Sequence, residues 1–192
     1  MTTPDQPVVL IVEDEETVAE GYELLLRDSY EIEKATGGPE ALEMIDHTVD
    51  VVLLDRMMPE MSGEQVLSEI RDRDLDCRVA MVTAVEPDFD IIEMGFDAYI
   101  TKPPSREELR GTVKRLLERS ELDADLQEYY SLIARQSALQ TEKTPDELET
   151  SEEYADLLDR IDDMSEQVAT SLGEMSSDTE FVGAVREIMD DN

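Results

Sequence analysis

Between residues 8 and 101 the sequence contains five short apolar runs, and segments with helical spacing of apolar residues separate them. Short runs rich in valine and isoleucine are typical of buried strands, and the longer segments are typical of amphipathic helices. Strands that alternate with helices predict an α/β fold, in which a parallel sheet carries helices on both faces. The five predicted strands cover residues 8–12, 30–34, 49–54, 79–82 and 98–100.

The pattern changes after Pro103-Pro104, where only helical spacing remains. Ser105 and Glu108 have the spacing of a capping box, which predicts a helix that starts there. A break is predicted at residues 143–145, followed by a long amphipathic helix over 151–175 and a last short helix containing Phe181 and Met189. We therefore predict two regions, an α/β domain over residues 1–120 and an all-α region over 121–192.

Charge is the most unusual property of the composition, with 50 acidic against 16 basic residues and a net charge of −34. Such a charge is typical either of a disordered chain or of a folded protein in molar salt, where screening limits repulsion to about 3 Å. The acidic residues alternate with periodic apolar residues, and only four of the basic residues are lysines. These features favour a folded, halophilic protein, whose surface would repel nucleic acid and anionic membranes.

The single cysteine and the N-terminal sequence indicate a cellular location. Cys77 has no partner for an intramolecular disulfide, which suits a reducing compartment. Residues 1–7 lack a basic, apolar signal sequence, and the first apolar run is too short to cross a bilayer. We expect a soluble cytoplasmic protein that does not enter the membrane.

Polar side chains stand where the predicted strands end. Glu13 and Asp14 follow the first strand, Asp55 the third, Thr83 ends the fourth and Lys102 follows the fifth. The carboxyl ends of parallel strands meet at one edge, so these groups should converge there. Three carboxylates at close range favour a hard divalent cation, and Mg²⁺ fits. Asp55 could then attack a phosphoryl group while Mg²⁺ and Lys102 balance the charge and Thr83 donates a hydrogen bond.

Each of these residues also has a simpler interpretation. Glu13 and Asp14 could cap the first helix, Asp55 could be a turn residue and Lys102 a surface charge. Only their joint arrangement favours phosphoryl chemistry. A phosphatase of the haloacid dehalogenase type would need a second aspartate two residues after Asp55, where this chain has Met57. With one histidine, His47, the chain has little support for a histidine kinase site, so the phosphoryl donor must be external.

Four separated segments resemble the receiver domain of two-component response regulators, in order and at close to the family spacing. The resemblance covers about residues 6–119 and rests on Ile-Val-Glu-Asp (11–14), Leu-Leu-Asp-Arg-Met-Met-Pro-Glu-Met-Ser-Gly (53–63), Thr-Ala (83–84) and Thr-Lys-Pro (101–103). It implies a flavodoxin-like, doubly wound five-stranded parallel sheet with strand order 2-1-3-4-5.

The same resemblance implies roles for individual residues. Asp55 would accept a phosphoryl group from a sensor histidine kinase, and the chain would catalyse only this self-phosphorylation and a slow autodephosphorylation. Thr83 and Tyr99 would be a switch pair that couples the phosphate to the distal face. The ligands of Mg²⁺ would be Glu13, Asp14, Asp55 and the backbone carbonyl of Met57.

Three departures from the family pattern suggest altered behaviour. Met57 and Val85 are apolar where many receivers are polar, and we hypothesise that they exclude the attacking water and prolong the life of the phosphoaspartate. The segment between Thr83 and Lys102 is about one helical turn short, so the fourth helix, at about residues 87–94, should be stunted.

The C-terminal region resembles the HalX domain that follows receivers in haloarchaea, best over residues 142–175. From residue 121 onward it has 21 acidic against four basic residues and no basic recognition helix. We therefore predict a protein-interaction or dimerisation module, with a DNA-binding transcriptional regulator as the alternative. A homodimer would use an apolar stripe formed by Leu126, Tyr129, Tyr130 and Ile133.

Overall fold

The computed structural model describes residues 6–119 and 124–175, and the predicted last helix beyond residue 180 lies outside these ranges. Its five strands form one parallel sheet in the order β2-β1-β3-β4-β5, which confirms the predicted doubly wound α/β fold. The strands are β1 Val8–Val12, β2 Glu31–Ala35, β3 Val51–Leu54, β4 Arg78–Thr83 and β5 Ala98–Thr101. The helices are α1 Glu16–Leu26, α2 Gly38–Met44, α3 Gly63–Asp72, α4 Arg106–Arg119, α5 Ala124–Glu142, α6 Pro145–Thr150 and α7 Glu152–Met175.

The central strands β1, β3 and β4 are buried on both faces, and their successive side chains point to opposite sides of the sheet. In β1, Val9 and Ile11 face the layer formed by α1 and α4, whereas Leu10 and Val12 face the opposite layer. Each fully buried side chain of this size contributes about 1.5–3 kcal/mol of transfer free energy. The two-sided burial explains why the strands read as continuous apolar runs.

The connection between β4 and β5 contains only a 3₁₀ helix, Phe89–Glu93, which confirms that the fourth helix of the domain is stunted. Asp88 caps it by accepting a hydrogen bond from the backbone N–H of Phe89 at 2.8 Å. A single five-residue 3₁₀ helix leaves much of the sheet beside β4 and β5 without a covering layer.

The C-terminal helices supply the missing layer. Leu132 of α5 and Leu157 of α7 are almost fully buried and belong to the same apolar core as Phe96, Ile91 and the inner side chains of the sheet. α5 packs on β5, on the 3₁₀ helix and on α7. The core is therefore continuous from the sheet into the C-terminal helices, while the division at residue 120 stays a prediction.

The local signals of the C-terminal region are also confirmed. Thr144 and Glu147 form a capping box that starts α6 after the predicted break, and α7 spans the predicted long helix. Tyr129 and Ile133 of the apolar stripe pack against the core of the same chain, and Leu126 is buried. The stripe thus has an intramolecular partner, although the homodimer itself stays a prediction. None of the helices within the described ranges combines the length and apolarity that crossing a bilayer requires.

Candidate phosphoacceptor site

Three carboxylates meet at the carboxyl-terminal edge of the sheet. β1 and β3 are paired with Val12 opposite Leu54, so the residues that follow them are neighbours. One carboxylate oxygen from each of Glu13, Asp14 and Asp55 lies within 4.8 Å of the others. Glu13 and Asp55 are buried, whereas Asp14 is exposed to solvent. The three acids therefore converge at this edge of the sheet, as the sequence predicts.

Lys102 lies between two of these carboxylates. Its Nζ atom is 2.6 Å from Glu13 Oε2 and 2.6 Å from Asp55 Oδ2. The backbone N–H of Lys102 donates to the carbonyl of Thr83 at 2.8 Å, which fixes the start of this loop on β4. The peptide bond between Lys102 and Pro103 is cis. The two carboxylate contacts hold the ammonium group within reach of any group bound to Asp55.

Burial and charge act in opposite directions on this pair. Burial favours the neutral form of Lys102, but hydrogen bonds and attraction from Asp55 and Glu13 outweigh it and raise the pKa of the lysine. For Glu13, burial is the largest effect and raises the pKa of the carboxyl despite the neighbouring lysine. Three carboxylates against one ammonium leave an excess of two negative charges, which a divalent cation would balance.

The loop after β3 orients the Asp55 carboxylate. The backbone N–H of Met57 donates to Asp55 Oδ1 at 3.2 Å, and the Met57 side chain is 66% exposed. Gly63 begins α3 directly against this loop, because a Cβ atom at that position would lie 2.1 Å from the carbonyl oxygen of Asp55. The N–H of Gly63 also donates to the Arg56 carbonyl at 2.9 Å. A side chain is therefore excluded at position 63 by the backbone of the acceptor residue.

The two predicted switch residues meet at one loop residue, Val85. Thr83 is fully buried at the end of β4, and its Oγ1 atom accepts a hydrogen bond from the Val85 N–H at 3.2 Å. The half-buried Tyr99 donates its hydroxyl to the Val85 carbonyl at 2.7 Å. Tyr99 also lines a cleft of about 260 Å³ between α4 and α5. Thr83 and Tyr99 therefore both form hydrogen bonds that hold the loop after β4.

Sequence reasoning missed Arg56, the residue after Asp55. Its side chain is only 8% exposed and pairs with Glu64 of α3 at 2.6 Å and with Asp90 of the 3₁₀ helix. Burial alone would lower the pKa of Arg56, but the hydrogen bonds that Arg56 donates to Asp90, Glu64 and Tyr99 raise it above its usual value. An arginine at the end of a strand that is otherwise apolar is the only sequence signal that could have singled it out.

Comparison with known proteins places both regions in families. The response regulator receiver domain model matches residues 9–114, and the HalX domain model matches residues 118–185. A Haloferax volcanii protein with the provisional name transcriptional regulator is 42% identical over 187 residues, which are 97% of this chain and 32% of that protein. The sensory transduction protein RegX3 of Mycobacterium tuberculosis is 43% identical over 116 residues, or 58% of this chain and 51% of that protein.

Among solved structures, the response regulator TrrA of Thermotoga maritima, in complex with Mg²⁺ and a beryllium fluoride, is similar with a TM-score of 0.51 and 33% identity. The match covers 58% of this chain and 99% of TrrA. The chain spans about a third of the length of the Haloferax relative and about half of RegX3. The receiver model alone matches more than half of the chain, and the site geometry lies within that match. This chain belongs to the response regulator receiver family and carries a HalX domain behind its receiver.

Proposed function

We propose that this response regulator accepts a phosphoryl group on Asp55 from a sensor histidine kinase, with Mg²⁺ as the cofactor. The observation that carries the proposal is the position of Lys102, 2.6 Å from both Asp55 and Glu13. A lysine bridging two buried carboxylates is already placed to stabilise the negative charge that develops on an incoming phosphoryl group.

The donor set fits Mg²⁺. Glu13, Asp14 and Asp55 provide hard oxygen ligands, and Asp14 faces solvent, where a hydrated ion can be exchanged. We assign the fourth protein ligand to the Met57 backbone carbonyl, from the family resemblance. The metal would balance the charge of the acids and of the phosphoryl oxygens, while Lys102 and the Thr83 hydroxyl would bind those oxygens from the protein side.

For the output we propose protein contact rather than DNA binding. Within the described residues, all three basic side chains of the C-terminal region, those of Arg135, Lys143 and Arg160, contact the receiver. DNA binding would need such side chains free for phosphate groups. The provisional name of the Haloferax relative keeps transcriptional regulation as the second candidate, and a DNA-shift assay in matched high salt separates the two. Dimerisation of the C-terminal helices is one form that protein contact could take.

The net charge of −34 and the haloarchaeal relative agree with a halophilic protein, and we propose that it acts in the cytoplasm, where sensor kinases present their phosphoryl groups. Experiments on its function therefore belong in high salt.

The test is intact mass after incubation with a small phosphodonor, with and without Mg²⁺. We expect one phosphoryl group on the wild type with Mg²⁺ and none after chelation or in Asp55→Asn. Asp72→Asn, at the far end of α3, is the matched control and should be modified like the wild type. Modification of Asp55→Asn to the same extent, or none of the folded wild type, would refute the proposal.

A further inference from the structure

A cleft of about 260 Å³ lies at the free edge of the sheet, outside the acceptor site. β5 is the last strand of the sheet, so one of its two edges has no neighbouring strand. α4 packs on one face of the sheet through Leu116, and α5 packs on the other face through Leu132. The cleft is the space between these two helices beside β5, so the receiver and the HalX domain both line it.

The volume of the cleft limits what it can hold. A cavity of about 150 Å³ accommodates benzene, and pockets for drug-sized molecules start at about 300 Å³. The cleft of about 260 Å³ thus suits a substituted aromatic ring of roughly 10 non-hydrogen atoms. An extended peptide would need a longer open edge, since β5 has only four residues and both α4 and α5 pack beside it.

Two aromatic rings form part of the wall. Tyr99 of β5 and Tyr130 of α5 line the cleft, together with the small side chain of Ala134. The ring centroid of Tyr99 lies 5.5 Å from that of Phe96, and the ring centroid of Tyr130 lies 6.0 Å from that of Tyr129. Because each ring is packed against another ring, a flat apolar ligand would find these walls already in place.

Arg115 of α4 is the only cationic residue among the described residues that line the cleft. Its Nη2 atom donates to Thr112 Oγ1 at 2.9 Å, which holds the guanidinium beside its own helix. This bond uses one of the five N–H donors of the guanidinium. The planar fork of an arginine binds a carboxylate through two parallel hydrogen bonds. Arg115 therefore favours a ligand that carries a carboxylate.

Asp97, the acidic residue of the lining, is already paired. It is buried, and its Oδ2 atom accepts hydrogen bonds from Arg71 at 2.8 Å and from the backbone N–H of Val79 at 2.7 Å. The strongly acidic surface of the chain repels an anionic ligand over longer distances. At 1 M salt the screening length is only about 3 Å, so the local contact with Arg115 decides whether an anion binds.

We propose that this cleft is a binding site for a small aromatic carboxylate, with the ring against Tyr99 and Tyr130 and the carboxylate on Arg115. The ligand would touch α4 and β5 of the receiver and α5 of the HalX domain at once. It would stabilise the packing of α5 on the receiver, because it binds only while these elements lie together. The cleft is separate from Asp55, so the proposal stands or fails apart from the phosphorylation of that residue.

Titration of the full chain with sodium benzoate in high salt, followed by the amide NMR signals, tests the proposal. We expect saturable shifts of signals from β5 and α5, around Ala98, Tyr130 and Ala134, with a dissociation constant of about 0.1–1 mM for a ligand of this size. Benzamide has the same shape without the charge and should bind about tenfold more weakly, because it cannot form the ion pair.

Two variants separate the contribution of charge from that of shape. Arg115→Gln should weaken benzoate binding by about tenfold and leave benzamide binding unchanged, so that the preference for the charged ligand disappears. Ala134→Leu fills the cleft without changing its charge and should remove the binding of both ligands. Lys114→Gln removes the neighbouring exposed lysine of α4, and this variant should bind benzoate like the wild type.

Circular dichroism first shows that each variant is folded. Benzamide that binds as tightly as benzoate, or an unchanged benzoate affinity in Arg115→Gln, would overturn the proposal. Shifts that do not saturate, or that lie away from β5 and α5, would also overturn it. If Arg115→Gln does not fold, the comparison of benzoate with benzamide in the wild type and in Ala134→Leu decides in the same way.

Discussion

The acceptor site and the C-terminal helices are both held to the sheet, but by different means. At the acceptor site, Lys102 joins two buried carboxylates by short polar contacts. The C-terminal helices are held mainly by apolar side chains such as Leu132 and Leu157, with ion pairs at their edge. The charges of the acceptor site are arranged for phosphoryl chemistry. The C-terminal helices could move on the sheet without leaving a buried charge unpaired, and Arg135 is the exception.

The two kinds of contact also differ in how much free energy it costs to break them. Removing one partner of a buried ion pair is costly. The acceptor site should therefore stay assembled whether or not Asp55 carries a phosphoryl group. Exposed pairs such as Glu93 with Arg160 contribute about 0–1 kcal/mol each, so their loss should change the stability of the protein little. The ion pairs of the acceptor site are therefore the costlier ones to disrupt.

The largest expected effect concerns the continuous core. Leu157→Ala in α7 should lower the free energy of unfolding of the whole chain by about 2–5 kcal/mol, because Leu157 is fully buried in the core that α7 shares with the sheet. The neighbouring Leu158, 37% exposed, is the control, and Leu158→Ala should cost well under half as much.

The measurement is urea unfolding followed by circular dichroism, together with alkylation of Cys77. This buried thiol, whose pKa is raised by burial, should react only on unfolding. Unchanged protection of Cys77 in Leu157→Ala would show that the C-terminal helices do not stabilise the receiver.

At the acceptor site, Lys102→Gln should slow phosphorylation by roughly 10²-fold, because it removes the cation that faces the developing charge. The rate of mass increase with a small phosphodonor measures this effect. Lys114→Gln, which removes an exposed lysine on α4, should leave the rate unchanged. A Lys102→Gln protein that is phosphorylated at the wild-type rate would remove the lysine from the mechanism.

Gly63→Ala tests how the acceptor loop is supported. The added Cβ atom would meet the carbonyl oxygen of Asp55 at 2.1 Å, so the start of α3 must shift, at a cost of about 1–3 kcal/mol. Gly21→Ala in α1 is the control, since no atom lies within 4 Å of its added Cβ. Equal unfolding midpoints for the two variants would contradict the close contact.

The smallest expected effect concerns the life of the phosphoaspartate. Met57→Asn and Val85→Glu place polar groups near the acceptor and should speed dephosphorylation by about tenfold, a change of about 1.4 kcal/mol in the barrier. Loss of the added mass over time after removal of the donor measures the rate. Unchanged rates in both variants would end the hypothesis that these apolar side chains exclude water.

The sequence predicted the sheet, the convergence of three acids and Lys102, and the stunted fourth helix, because each depends on local periodicity, on strand ends or on segment length. It could not predict what α5 packs against, since an apolar stripe on a helix does not identify its partner. Arg135 lies in phase with Leu132 and Leu139, on a face of α5 other than the predicted stripe, and this spacing is a sign of a buried cation that was overlooked. The pairing of Arg56 with Asp90 joins residues 34 positions apart and has no periodic signature.

The most direct test of the proposed phosphorylation is to identify the residue that carries the phosphoryl group by chemical reduction. Borohydride reduction of the phosphorylated chain converts an acyl phosphate on aspartate to homoserine, which fragment masses assign to one residue. We expect homoserine at position 55 alone and only in samples that contained Mg²⁺. Homoserine at Asp14 or another acidic residue, or none in a chain that carries phosphate, would contradict it.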